Sequence, residues 1–242
     1  MIDLNGSLTA GPGTRRRLTA VLAVGAATLG LAACHDSSTS PTTATSLTVV
    51  SGGGQTATVA TSLAAPIVLQ VKDQNGNTMT GVVVTLSMGA GGGSVPSTQL
   101  TTDSNGQVTV SWTLGTVAGT DTLVAQVGSL PVLDVVATAT PDVPANLDLV
   151  SGDNQSTAAG TALPSALTVK VTDRYANAVS NVAVTFSDDA NGTFASTTVT
   201  TDTSGMAPDT ITLGPNAGID DITASIQTSN GFVTVTLHET GS

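Results

Sequence analysis

The chain has 242 residues, 40% of them apolar but only 2% aromatic, with a formal net charge of −11. Three of its 6 basic residues are Arg15, Arg16 and Arg17; beyond residue 33, 16 acids face only Lys72, Lys170 and Arg174, net −13. Three scattered cations neutralise few phosphates, so the balance excludes nucleic acid as a partner, and it excludes anionic lipid held by a basic patch for the same reason.

The first element is not part of a fold. Arg15 to Arg17 precede the apolar run Leu18 to Leu31 (LTAVLAVGAATLGL), too short for a spanning helix and of the length of a signal-peptide apolar region. The run ends in Leu31-Ala32-Ala33-Cys34, which resembles the bacterial lipobox: an aliphatic residue, two small ones, then the only cysteine of the chain. That resemblance implies export, cleavage after residue 33 and acylation of Cys34 with palmitate-like chains. Several chains, at about 0.8 kcal/mol per buried CH₂, anchor a protein durably in a membrane. Asp directly after the cysteine would direct retention in the inner membrane; His35 stands there instead, so the expected destination is the outer membrane. Residues 34 to 45 are rich in Ser and Thr, too polar to bury a core, and read as a tether.

Beyond the tether the chain repeats itself with a period of about 100 residues, the size of a domain rather than a solenoid unit. Leu47-Thr48-Val49-Val50-Ser51-Gly52 returns as Leu147-Asp148-Leu149-Val150-Ser151-Gly152, and Leu114-Gly115 as Leu213-Gly214. The offset slips by one between the glycine-rich residues 89 to 94 and their counterpart 189 to 193. Residues 46 to 140 and 146 to 242 are therefore read as two domains, joined by the Pro-containing linker 141 to 145. Two prolines favour an extended connection.

Inside each copy, apolar and polar residues alternate at the period of a half-buried strand. Ile67/Leu69/Val71, Val108/Val110/Trp112/Leu114 and Leu123/Ala125/Val127 each define an inward face. So do Leu167/Val169/Val171, Val182/Val184/Phe186, Ile222/Ala224/Ile226 and Val233/Val235/Leu237. Turn sequences such as Asp73-Gln74-Asn75-Gly76 and Asp202-Thr203-Ser204-Gly205 separate them. About seven short strands per copy and no amphipathic helix give an all-β fold class, two tandem immunoglobulin-like β-sandwiches.

The strings VKDQNGNTMTGVVVTL, TTDSNGQVTVSWTL and AGTDTLVA, and their second copies VTDRYANAVSNVAVTF, TTDTSGMAPDTITL and AGIDDITA, resemble the group 1 bacterial Ig-like domain of invasin and intimin adhesins. Ala176 departs from the pattern by replacing the turn glycine. The resemblance implies stalk-forming surface domains; the barrel and lectin-like tip that accompany them in those adhesins have no counterpart in this sequence.

Chemistry-bearing residues are sparse. His35 and His238 have no nucleophile partner, and neither a G-x-S-x-G elbow nor a P-loop occurs, so no enzyme and no catalytic residues are expected. Acidic residues in loops suit calcium, which makes Asp142, Asp148, Asp188, Asp189, Asp220 and Asp221 the calcium candidates, although Asp, Asn and Gly clusters are also what tight turns require. No cofactor other than calcium is expected. Trp112 and Phe186 fall on inward faces, leaving Tyr175, in a turn, as the aromatic candidate for stacking on a sugar. The expectation is a cell-envelope lipoprotein acting as a spacer or adhesion and protein-interaction module, with an envelope or extracellular protein or glycan as partner. The alternative is a calcium-dependent module that binds glycan or polymer.

Overall fold

A computed structural model describes residues 41–242, so the expected signal segment, Leu31, Ala32, Ala33, Cys34 and most of the expected tether lie outside the described residues. The described residues form strands and loops, with no helix long and apolar enough to cross a membrane.

The first copy holds β1 (Ala44–Ser51), β2 (Thr56–Thr58), β3 (Ile67–Asp73), β4 (Val83–Met88), β5 (Gln99–Thr101), β6 (Gln107–Val110), β7 (Gly119–Gln126) and β8 (Leu133–Thr140). One sheet runs β1-β3-β6, the other β2-β8-β7-β4-β5, and every pair is antiparallel except β2 with β8. The strand β1 begins at Ala44, opposite Asp73, so the last two residues of the expected tether belong to the sheet. Polar Ser/Thr sequence hides an edge strand, because an edge needs only backbone groups to pair.

The second copy repeats the plan with β9 (Asn146–Ser151), β10 (Ser156–Thr157), β11 (Leu167–Thr172), β12 (Ala183–Asp188), β13 (Thr193–Phe194), β14 (Thr198–Thr200), β15 (Met206–Asp209), β16 (Ile211–Thr212), β17 (Gly218–Thr228) and β18 (Gly231–Gly241). Its sheets run β15-β11-β9 and β10-β18-β17-β12-β14, with a small β13-β16 pair. The run from residue 206 to 212 leaves one sheet and pairs in another; in the first copy the same place holds only the bridge of Ser94 with Thr113. The sequence reads each of these runs as one strand because side-chain alternation persists through the bend: Val108, Val110, Trp112 and Leu114 are all buried.

Each copy has its own core. Ile67, Leu69, Val71, Val84, Leu86, Trp112 and Leu123 lead the first; Leu167, Val169, Val171, Val184, Phe186, Ile222 and Leu237 lead the second. Strands with one buried face are locked in register, since a slip of one residue would turn every core side chain to solvent.

Four Asp-led turns organise the loops. In each, the aspartate Oδ1 accepts the backbone N–H groups two and four residues on: Asn75 and Asn77 on Asp73, Asn105 and Gln107 on Asp103, Tyr175 and Asn177 on Asp173, Ser204 and Met206 on Asp202. The third residue after each aspartate is left-handed, and Ala176 adopts φ 67° where Gly76 has 81°. The turn therefore closes without glycine, at a strain of roughly 1–2 kcal/mol.

Candidate functional site

The second-copy turn is more than a connection. Asp173 is fully buried and its carboxylate gathers four donors: Tyr175 and Asn177 N–H on Oδ1, Asn177 Nδ2 at 2.9 Å and the Asp142 N–H at 2.9 Å on Oδ2. Burial by itself would raise its pKa, but the bonds from Asn177, Asp142 and Tyr175 together outweigh it and hold the carboxyl below its ordinary range. Its contribution to stability is thus present above the ordinary carboxylate range and lost as pH falls through the depressed pKa.

Through that carboxylate the linker is tied down. Asp142 also faces Arg174 at 3.1 Å, and Ala145 donates to the Thr172 carbonyl at 2.9 Å. Asn177 then reaches the first domain: its Nδ2 donates to the Thr116 carbonyl at 2.8 Å, and its Oδ1 accepts the Ala118 N–H at 2.8 Å. Tyr175 packs against the first core, and the Arg174 guanidinium lies 4.8 Å from its ring centre. The expectation of a solvent-facing tyrosine is corrected here: Tyr175 is half-buried between the domains, since a turn at a domain end is covered when the next domain abuts it. Asn177→Ala strands the Thr116 carbonyl and the Ala118 N–H and also takes one donor from the buried Asp173 carboxylate, so it is expected to weaken the junction by about 1–3 kcal/mol. The readout is faster proteolysis within residues 141–145, with a lowered melting midpoint for the second core and an unchanged one for the first; unchanged cleavage would show that these bonds do not hold the junction.

Beside the linker lies a cleft of about 300 Å³, lined among others by Asp142, Val143, Arg174, Asn230 and Val233. Its volume is at the lower end for small-ligand sites, and its walls offer one cation, one carboxylate, amide and hydroxyl groups and apolar patches. Such a lining suits recognition. Phe232, on the same β17–β18 hairpin, is 73% exposed. Parity marks it in the sequence: Val233, Val235 and Leu237 point inward, so Phe232 points out. Trp112 and Phe186 are core, as their faces implied.

The six acidic candidates do not assemble. Asp142 is engaged with Arg174, and Asp148 is exposed on β9, opposite Lys170. Asp188 accepts the N–H groups of Ala190 and Gly192, and Asp189 accepts that of Asp221. Asp220 is buried and accepts the Gly214 N–H at 3.0 Å, while Asp221 meets His238 Nδ1 at 2.6 Å. Among the described residues no three His, Cys, Asp or Glu side chains converge as a metal site.

No family model matches the chain. No curated protein matches it either. Among solved structures, that of Yersinia pseudotuberculosis InvD is similar with a TM-score of 0.53 at 22% identity, over 81% of this chain and 57% of that one. The chain thus spans less than two thirds of InvD. FdeC, an Escherichia coli adhesin, is similar at TM-score 0.46 and 21% identity, over 81% of this chain and 64% of that one. The D00-D0 domain of Intimin is similar at TM-score 0.41 and 14% identity, over 80% and 99%. The fold is that of tandem immunoglobulin-like β-sandwiches, as the repeated strings implied, and it is similar to that of InvD.

Proposed function

We propose that this chain is a non-enzymatic envelope lipoprotein, anchored through Cys34 in the outer membrane, whose two Ig-like domains serve as an adhesion or protein-interaction module. The observation that carries the reading is the junction: Asp173, Asn177 and Tyr175 fasten the linker and the first domain to the second, which holds the linker wall of the cleft, Asp142 to Ala145, in a defined place. A spacer alone needs reach, whereas a recognition surface needs its parts held still. The Leu31–Cys34 motif supports the anchor. The partner is an extracellular or envelope protein, bound through the apolar and polar groups around Phe232 and Val143.

Photo-cross-linking in intact cells tests this. A probe at Phe232 is expected to capture one discrete partner that a probe at Val83, exposed on the first domain, does not. Identical adducts from both positions, or none from either, would overturn the reading; capture of polysaccharide alone would replace protein by glycan as the partner.

A further inference from the structure

The long β17–β18 ladder sets Asp220 directly opposite Glu239. Both face inward, with 1% and 0% of their surface exposed. In the first domain the same register pairs Asp121 with Ala137, so the second domain alone places two carboxyls side by side in its interior. Like charges opposite one another on a sheet are destabilising, and burial without a counter-ion adds to that.

The surroundings of Glu239 offer little to hold a charge. Its Oε2 accepts the Gln155 N–H at 2.6 Å, and Oε1 has no partner. The neighbouring ionisable groups are Asp220 on β17, Asp153 in the segment before β10, and His238 on the same strand, which is turned to the other face and engaged with Asp221. Burial is the largest influence and pushes the carboxyl up; the Gln155 N–H opposes it, Asp153 adds to it, and His238 opposes it. Together they bring Glu239 to about 7. What the side chain holds is a small structure: β10 is two residues long and pairs with the end of β18 as Ser156 with Thr240 and Thr157 with Gly241, bordered by bonds from Asn154 to the His238 carbonyl and from Thr240 to the Gln155 carbonyl.

We propose that Glu239 is a proton-operated lock on this edge of the second domain: as a neutral acid it sits beside Asp220 and keeps β10 seated on β18, and as a carboxylate it releases that edge. A cation in place of the proton fits the geometry less well, because one oxygen of each acid is already engaged with a backbone N–H and the pair is closed to the water that calcium keeps in its shell.

A group whose affinity for a proton rises on folding stabilises the fold fully below its unfolded range, and that contribution is lost as pH climbs through the folded pKa. Hydrogen exchange of the full chain at about pH 5.5 and about pH 8.5, normalised for intrinsic exchange, is therefore expected to show the Gln155 and Thr240 amides opening at least about tenfold more readily at the higher pH. Glu239→Gln, a neutral isostere, should abolish the difference. The His238–Asp221 pair also loses its charge attraction over this window, so His238→Gln serves as control and should leave the difference in place. Equal pH responses in wild type and Glu239→Gln, or loss of the response in His238→Gln, would overturn the proposal. So would suppression of the opening at high pH by millimolar calcium, which would make the site a cation site. Should Glu239→Gln fail to fold, a flat wild-type response overturns the proposal by itself.

Discussion

Trp112→Ala is expected to remove about 3–5 kcal/mol from the first sandwich and nothing comparable from the second. Trp112 is 1% exposed in a core whose other buried members are Val, Leu, Ile and Ala, so the void it leaves is walled by small and aliphatic side chains. A domain with a total stability of about 5–15 kcal/mol survives such a loss narrowly or not at all. The bulkiest buried side chain of the second core is Phe186, 2% exposed and tilted against Phe194 at 5.9 Å between ring centres. Because Trp112 is the only tryptophan, its fluorescence reports the first domain alone. In Phe186→Ala the fluorescence transition should stay near its wild-type midpoint while circular dichroism shows an earlier loss of the second domain. If both signals shift together by the same amount, the two cores unfold as one unit and the independence argued from their separate clusters is wrong.

Gly115→Ala is expected to be as damaging, although it adds a single methyl group. A β-carbon there would land on the carbonyl oxygen of Gly91, a backbone atom that cannot rotate aside, and the Gly115 N–H is the donor at 2.6 Å to the buried Asp121 carboxylate. Relieving the clash moves the loop and leaves that carboxylate without its partner, so a loss above about 4 kcal/mol follows. Gly214→Ala repeats the situation in the second copy, against the carbonyl of Ala190 and the Gly214 bond to Asp220. Gly54→Ala is the comparison: its φ is +71° but no atom lies within 4 Å, so only left-handed strain of about 1–2 kcal/mol applies. Urea unfolding midpoints separate the cases, and a Gly115→Ala loss no larger than that of Gly54→Ala would rule out close backbone approach as the reason for glycine.

The pairing of Leu114-Gly115 with Leu213-Gly214 in the sequence located these glycines but not their purpose, which lies in a loop about two dozen residues away in the chain. The inward faces were legible because a period of two fixes burial once a strand exists, and the four aspartate turns were legible because their donors sit two and four residues on. The junction was not. Asn177 looks like one more turn residue, and its partners are backbone groups of Thr116 and Ala118, which carry no sequence signature. Glu239 was within reach of parity, since it continues the inward series Val235 and Leu237, but a charged residue near the end of a strand reads as the exit to solvent. The calcium candidates show the reverse case, in which residue type suggests a ligand set and the fold distributes the carboxylates among backbone N–H groups, Arg174 and His238.

Under the proposed function these two sandwiches are presented from a membrane by an acylated Cys34. Intact-mass and amino-terminal peptide mass spectrometry of the protein taken from cell envelopes tests it most directly. The predicted result is a mature chain beginning at Cys34 with acyl chains on that residue, absent from a Cys34→Ala form. An unmodified chain that begins at any other residue would contradict it.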